Sequence, residues 1–196
     1  MAKIKRNKNG TRKDVIISKA AKLFREKGYN ATSMRDLAEH VGVEAASLYN
    51  HISSKSEILQ EICFKVANEF TSHIEEVYAS STNSIEKIEA ILRFHIRQMV
   101  DNYEEVYVND REWKHLSDPY LSNIQNQRRS YRQRIAQIIE EGIRKDEIKS
   151  IDAPTAVLIM LHAVSGIESW HRSKRKIPGA LLEDNMIMIL VDGLRR

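Results

Sequence analysis

The chain has 196 residues, 42% of them hydrophobic and 30% charged, with seven glycines, three prolines and a single cysteine. That length can bury a core in one or two domains, and so few turn-formers favour long helices over a strand-rich fold. A lone Cys63 rules out an intrachain disulfide, and no apolar run reaches the roughly 18 residues of a membrane span; with no signal peptide at the start, a cytoplasmic protein with no membrane partner is expected.

The net charge of +4 is unevenly spread. Residues 1–60 hold 12 Lys and Arg against 6 Asp and Glu, whereas the other 136 hold 19 against 21. A basic front on a slightly acidic remainder fits a DNA-binding head on a body with another task, although a solvated basic tail explains Lys3 to Lys8 equally well. Residues 1–11 show no periodicity and read as an arm that can follow phosphates or enter a minor groove.

A first helix is expected over Arg12–Lys27, stopping at Gly28, with Ile16, Ala20, Leu23 and Phe24 inward. In residues 33–51, SMRDLAEHVGVEAASLYNH, the positions Met34, Leu37, Ala38 and Val41 keep helical spacing. Ser33 with Asp36 resembles a capping box, and Gly42 stands where a helix end wants a left-handed residue. Glu44 to Ile52 restarts a helix with Leu48 and Ile52 inward, leaving Ala45, Ala46, Ser47, Tyr49 and Asn50 to face out. Two short helices joined by a Gly-containing turn make a helix-turn-helix, whose second helix suits a major groove; by spacing alone, any helical hairpin fits as well.

The surrounding residues narrow this. Ile16, Ala20, Leu23, Phe24, Gly28-Tyr29, Thr32-Ser33, Asp36-Leu37-Ala38, Gly42-Val43, Leu48-Tyr49, Ser54-Lys55 and Leu59 together resemble the DNA-binding domain of the TetR (tetracycline repressor) family of bacterial regulators. The resemblance implies DNA contacts from Thr32, Ser33 and Arg35 at the start of the second helix, and from Glu44, Ala45, Ser47, Tyr49, Asn50 and His51 on the recognition helix. Lys55, at the start of a fourth helix, is the natural phosphate contact. Where many relatives carry Ser-Lys or Ser-Arg, this chain has Glu44-Ala45. Glu44 either accepts a hydrogen bond from a cytosine or caps its own helix, and Ala45 can meet a thymine methyl.

The fourth helix, opened by the Ser54/Glu57 pair, should run to Ala79, with Cys63 a small hydrophobe on its apolar stripe. Ser80–Ser84 is the clearest loop, with Ser84 a candidate cap for a fifth helix over Ile85–Asn102. A sixth is expected over Tyr103–Leu116 and a seventh over Tyr120–Lys145; the Arg128, Arg129, Arg132 and Arg134 run on the latter reads as a solvated face. Asp152-Ala-Pro154 opens an eighth through Trp170, and the last spans Leu181–Leu194. The fold class is therefore all-α with about nine helices: an arm and helix-turn-helix domain over residues 1–54, and a ligand-binding and dimerisation domain over 55–196. The resemblance implies a homodimer through the last two helices and a palindromic operator in double-stranded DNA.

It also implies a small-molecule effector held in the body. Arg111–Leu116 with Pro119-Tyr120, and Gly166-Ile167-Glu168-Ser169-Trp170, resemble segments of the branch that responds to acyl-CoA thioesters. On that reading Trp113, Trp170, Arg172, Lys174 and His95 are the ligand-binding candidates, an aromatic platform with cations suiting a phosphorylated adenosine. The chain departs from those relatives at His171-Arg172-Ser173. A cationic ligand facing Glu104, Glu105 or Glu168, another apolar ligand, or a DNA-binding protein with no ligand are the alternatives. His73, His95, His115 and His162 show no metal-ligand spacing, no phosphate-cradling glycine loop or nucleophile motif is present, and neither enzyme, metal nor cofactor is expected.

Overall fold

The computed structural model describes residues 11–195; the basic arm proper lies outside them. Every regular element among the described residues is a helix apart from one isolated bridge, Ile148 to Arg195. In chain order the helices are α1 (Arg12–Lys27), α2 (Met34–Val41), α3 (Ala45–Tyr49), α4 (Lys55–Ala79), α5 (Ser84–Asp101), α6 (Tyr103–Arg111), α7 (Tyr120–Arg144), α8 (Ala153–Ser165), α9 (Ile167–Arg172) and α10 (Gly179–Asp192). A short 3-10 turn, Trp113–His115, follows α6. The all-α architecture is as expected.

Three local expectations are corrected. The residues read as one eighth helix break at Gly166, whose N–H closes tight bonds to Ala163 O and His162 O before α9 restarts; glycine carries the weakest helix preference of any non-proline residue. The sixth helix ends at Arg111 rather than Leu116. Asn83, not Ser84, caps α5, in a capping box with Glu86; Ser84 is buried, its N–H donating to Glu147 Oε2 at 2.7 Å.

The described residues pack as two compact units: those up to Val66 with 104–124, and 67–103 with those from 125 onward. The expected division after residue 54 follows the chain; the packing instead gathers α6 and the 3-10 turn with the helix-turn-helix. In the first unit the core is Ile16, Ala20, Leu23, Phe24, Leu37, Leu48, Ile52, Ile58, Leu59 and Ile62, all buried. Ion pairs join its helices: Lys13 to Glu61 at 2.8 Å and Glu57 at 3.2 Å, and Lys65 to Glu105 at 2.6 Å.

In the second unit α5 is the centre, packing against α8, α9 and α10. Its apolar stripe Ile88, Ile91, Leu92 and Ile96 is buried with Ile135, Ile138 and Ile139 of α7 and Val157, Met160 and Val164 of α8. Gly142 permits the close approach of α7: a β-carbon there would stand 2.6 Å from Ile148 and 2.8 Å from Ser84. α10 is tied to α5 by Glu183, which accepts from Arg97 Nε at 2.9 Å, Arg97 Nη2 at 2.8 Å and Arg93 Nη1 at 2.9 Å. The other side of α8 and α10 is apolar and exposed: Leu158 and Ile159 each show 58% of their surface, Met188 57% and Ile189 72%.

Candidate nucleic-acid interface

The first unit orients α3 by fixing the turns on either side of it. Ser33 caps α2, accepting from Asp36 N–H at 3.1 Å, while Asp36 returns the bond to Ser33 N–H at 2.9 Å and takes Lys27 Nζ at 3.2 Å. The Ser33 hydroxyl and N–H hold the Asp36 carboxyl well below the usual carboxylate range. At the other end Gly42 adopts φ 81°, ψ 38°, and its N–H bonds Ala38 O. A β-carbon at Gly42 would meet nothing within 4 Å, so glycine is needed there for its backbone rather than for space. Lys19 of α1 reaches across to Val41 O at 2.9 Å, placing a cation at the negative end of α2.

α3 is short, and only Leu48 is buried on it. Ala45, Ala46, Tyr49, Asn50 and His51 are exposed, Tyr49 to 53%, and Ser47 is half-buried. Glu44 occupies the N-cap by its backbone but makes no side-chain cap bond. Its expected capping role is therefore corrected, and its carboxylate stays on the exposed face. Ser33 and Arg35 at the start of α2 are exposed as well. These residues form one polar surface whose only large ring is Tyr49.

Thr32 and Lys55 have other partners than expected. Thr32 is buried, its hydroxyl donating to Gly28 O at 2.8 Å. Lys55 Nζ donates to Tyr29 O and Thr32 O, both at 2.8 Å, and lies 4.3 Å from the centre of the Tyr29 ring. Two of the three ammonium donors are thereby spent on the turn between α1 and α2. Tyr29, which the sequence offered only as part of a matching Gly-Tyr pair, is the hub: Phe24 meets its ring edge-on at 5.2 Å and His115 stacks on it at 5.4 Å.

The residues expected at a ligand do not form one group. Trp113 belongs to the first unit, and the other four to the second. His95 lies in an aromatic cluster, sharing a 2.6 Å hydrogen bond with the Tyr131 hydroxyl; burial lowers its pKa to about 3 and keeps the imidazole neutral. Trp170 is at the end of α9, its Nε1 donating to Ile177 O at 3.1 Å with Lys176 Nζ 5.0 Å from its ring. Arg172 pairs with Glu168, and Lys174, Arg175 and Lys176 are exposed beside it. His171 stacks on Tyr103 at 3.9 Å and bonds Met99 O at 2.7 Å, fixing α9 to the end of α5.

Comparison with known families matches residues 16–62 to the bacterial regulatory proteins of the tetR family and residues 81–194 to a tetracyclin repressor-like C-terminal domain. The chain belongs to the TetR family. It is a DNA-binding transcriptional repressor, and TetR proteins are regulators rather than enzymes. It is 30% identical over 165 residues to IcaR, a negative regulator of the biofilm operon icaADBC in Staphylococcus aureus, covering 81% of this chain and 82% of IcaR. It is 26% identical over 192 residues to the repressor KstR2 of Rhodococcus jostii, covering 95% and 92%. The solved KstR2 of Mycobacterium tuberculosis superposes with a TM-score of 0.88 at 20% identity, over 96% and 97% of the two chains. AibR, solved with isovaleryl coenzyme A and operator DNA, superposes at 0.80 with 22% identity, over 92% and 98%.

Within this TetR chain the helix-turn-helix was legible because its caps, glycine turn and apolar spacing are local. The Lys55–Tyr29 clamp was missed, since nothing in the sequence says that a lysine 26 residues on will turn back to a carbonyl. No helix among the described residues is long and apolar enough to cross a membrane.

Proposed function

We propose that this repressor acts in the cytoplasm as a homodimer that holds a palindromic operator and lets go when a small organic effector, of the acyl-CoA thioester class, binds its body. Residues 1–54 read DNA, and residues 55–196 bind effector and pair. The observation that carries the reading is the exposure of Tyr49, with Ala45, Ala46, Asn50 and His51, on a short helix whose other side is buried through Leu48. A helix braced from behind and bare in front fits a major groove, with Ser33 and Arg35 at the α2 start suited to a phosphate.

Dimerisation is supported by the apolar face of α8 and α10, where Leu158, Ile159, Leu181, Met188 and Ile189 are exposed together. An apolar patch of this kind beside polar surface is characteristic of an interface, and pairing two such helices with their copies gives a four-helix bundle. The thioester class is supported by Trp170 beside Arg172, Lys174, Arg175 and Lys176, and by AibR's complex with isovaleryl coenzyme A. Release follows if effector binds better to the dimer whose heads are spaced wrongly for successive grooves.

The test has two arms. Duplexes selected from genomic fragments by the purified protein should share an inverted repeat, and Tyr49→Ala should weaken their binding at least tenfold with an unchanged melting point. Sedimentation should give a dimer that Ile189→Glu converts to a monomer. Selected duplexes without twofold symmetry, or a wild-type monomer, would overturn the reading. Release is read by titrating isovaleryl coenzyme A into the operator complex.

A further inference from the structure

Residues 36–54, from the first turn of α2 to the end of the helix-turn-helix, contain no lysine or arginine but hold Asp36, Glu39 and Glu44. Arg35 and Lys55 flank this stretch, and Lys55 is committed to Tyr29 O and Thr32 O. Lys19 and Lys27 of α1 are taken as well, by Val41 O and by the Asp36 carboxylate. Asp36 itself closes the capping box with Ser33. Glu44 stands differently. Its side chain is exposed beside Ala45 and Ala46, and it makes no hydrogen bond or ion pair among the described residues.

An uncommitted carboxylate on this face opposes DNA binding in general. A duplex carries one negative charge per roughly 1.7 Å of its axis, so the carboxylate is repelled by every sequence. It also loses water on entering a groove. Only a hydrogen-bond donor on a base edge offsets both costs. The commonest specific contact, Arg or Lys on guanine, has no side chain to make it on α3. In the major groove guanine shows two acceptors, and thymine an acceptor with a methyl group, so both oppose a carboxylate. Adenine sets its acceptor N7 beside its amino group. Cytosine shows a donor with no acceptor on its own edge. Ala45 and Ala46 present methyl groups alone, which add apolar contact and no competing polar group.

We propose that Glu44 is a specificity-determining residue of this repressor: its carboxylate accepts a hydrogen bond from the N4 amino group of one cytosine in the half-site that α3 reads. This deepens, and rests on, the reading of α3 as the helix that enters the major groove. The contact works by contrast. Where the cytosine is present, the amino group offsets the repulsion; where it is absent, a desolvated charge faces acceptors and phosphates. Glu44 therefore discriminates chiefly by weakening the wrong sequences.

The experiment selects duplexes from a randomised pool with full-length wild type, Glu44→Ala and Glu44→Gln. Fluorescence anisotropy at one fixed salt concentration then measures the selected and the random duplexes. In wild type, replacing one particular C·G pair of the half-site should weaken binding roughly tenfold. Glu44→Ala should lose that preference at that position alone, and should bind random duplex more tightly than wild type does. Glu44→Gln should move the preference to adenine, whose N6 and N7 a carboxamide engages together. The side chain has no bond to lose within the protein, so both variants should keep the wild-type melting point. Glu39→Ala removes the same charge from the exposed side of α2 and should leave every base preference as it was. An unchanged sequence profile in both Glu44 variants would overturn the proposal, as would the same change of profile in Glu39→Ala. Tighter binding of all duplexes alike by Glu44→Ala would reduce the residue to a repelling charge and overturn it too. In each of these outcomes wild type still selects its sequence, so the reading of α3 stands. A wild type that selects no sequence would remove that reading and the proposal with it, whereas a selected site without twofold symmetry would remove the homodimer alone.

Discussion

Lys55→Met separates two roles that a lysine at the start of α4 can play. If its ammonium grips a phosphate, the proposed dimer loses two phosphate contacts, and the slope of log K against log salt falls by roughly 1.8, at about 0.9 per contact. If it serves the bonds in the structure, the loss is internal. Its two bonds, to Tyr29 O and Thr32 O at 2.8 Å, are charge-assisted, and the Tyr29 ring lies beneath it. Hydrogen bonds to charged groups contribute roughly 1.5–3 kcal/mol each, and a cation over a ring about 0.5–1. Lys55 is only half-buried, so solvent can re-pair the freed carbonyls and the net cost should be about 2–3 kcal/mol. Methionine keeps the aliphatic stem in place. Urea unfolding should register that loss, and fluorescence anisotropy across a potassium chloride series should show weaker operator binding with an unchanged salt slope. A slope reduced by about 2 with stability unaltered would refute the clamp and restore the phosphate contact.

Three other outcomes follow from the same geometry. Gly42→Ala should cost roughly 1–2 kcal/mol in urea unfolding, the penalty of a β-carbon at positive φ, since nothing crowds the site; a change below about 0.3 kcal/mol would show that the turn can relax. Glu183→Ala removes the carboxylate shared by Arg93 and Arg97. With Arg97 largely exposed, the cost should be about 1–2 kcal/mol, and α10 amides should exchange faster by hydrogen–deuterium mass spectrometry; unchanged exchange would contradict an anchoring role. Stability should also fall as the solution is acidified from pH 7 to 5. The unfolded chain takes up a proton near 6.5, which His95, at about 3, refuses in the folded state. Unfolded binds more protons than folded across that interval, so acid favours unfolding, by about 1–2 kcal/mol for this group. His95→Asn should flatten the dependence, and an equal slope in wild type and variant would exclude His95 as its source.

What the sequence by itself determined is what neighbours along the chain can enforce. Ser33 with Asp36, Gly42, and the inward spacing of Leu37, Val41, Leu48 and Ile52 specify a helix-turn-helix within 20 residues, and the helical periodicities of the body specify an all-α fold. Capping, a left-handed turn and one-sided burial act over three or four residues, so they are written locally. The exposed Tyr49 follows from the same periodicity.

The tertiary structure decided which polar groups meet. Lys55 turns away from solvent because two carbonyls 23 and 26 residues earlier lie within its reach. Gly166 ends α8 although the apolar pattern runs on to Trp170. His95 is neutral because Phe70 and Tyr131, distant in the chain, surround it. Hydrogen bonds and desolvation depend on positions in space at tenths of an ångström, and a pattern of residue types along a chain does not carry that distance.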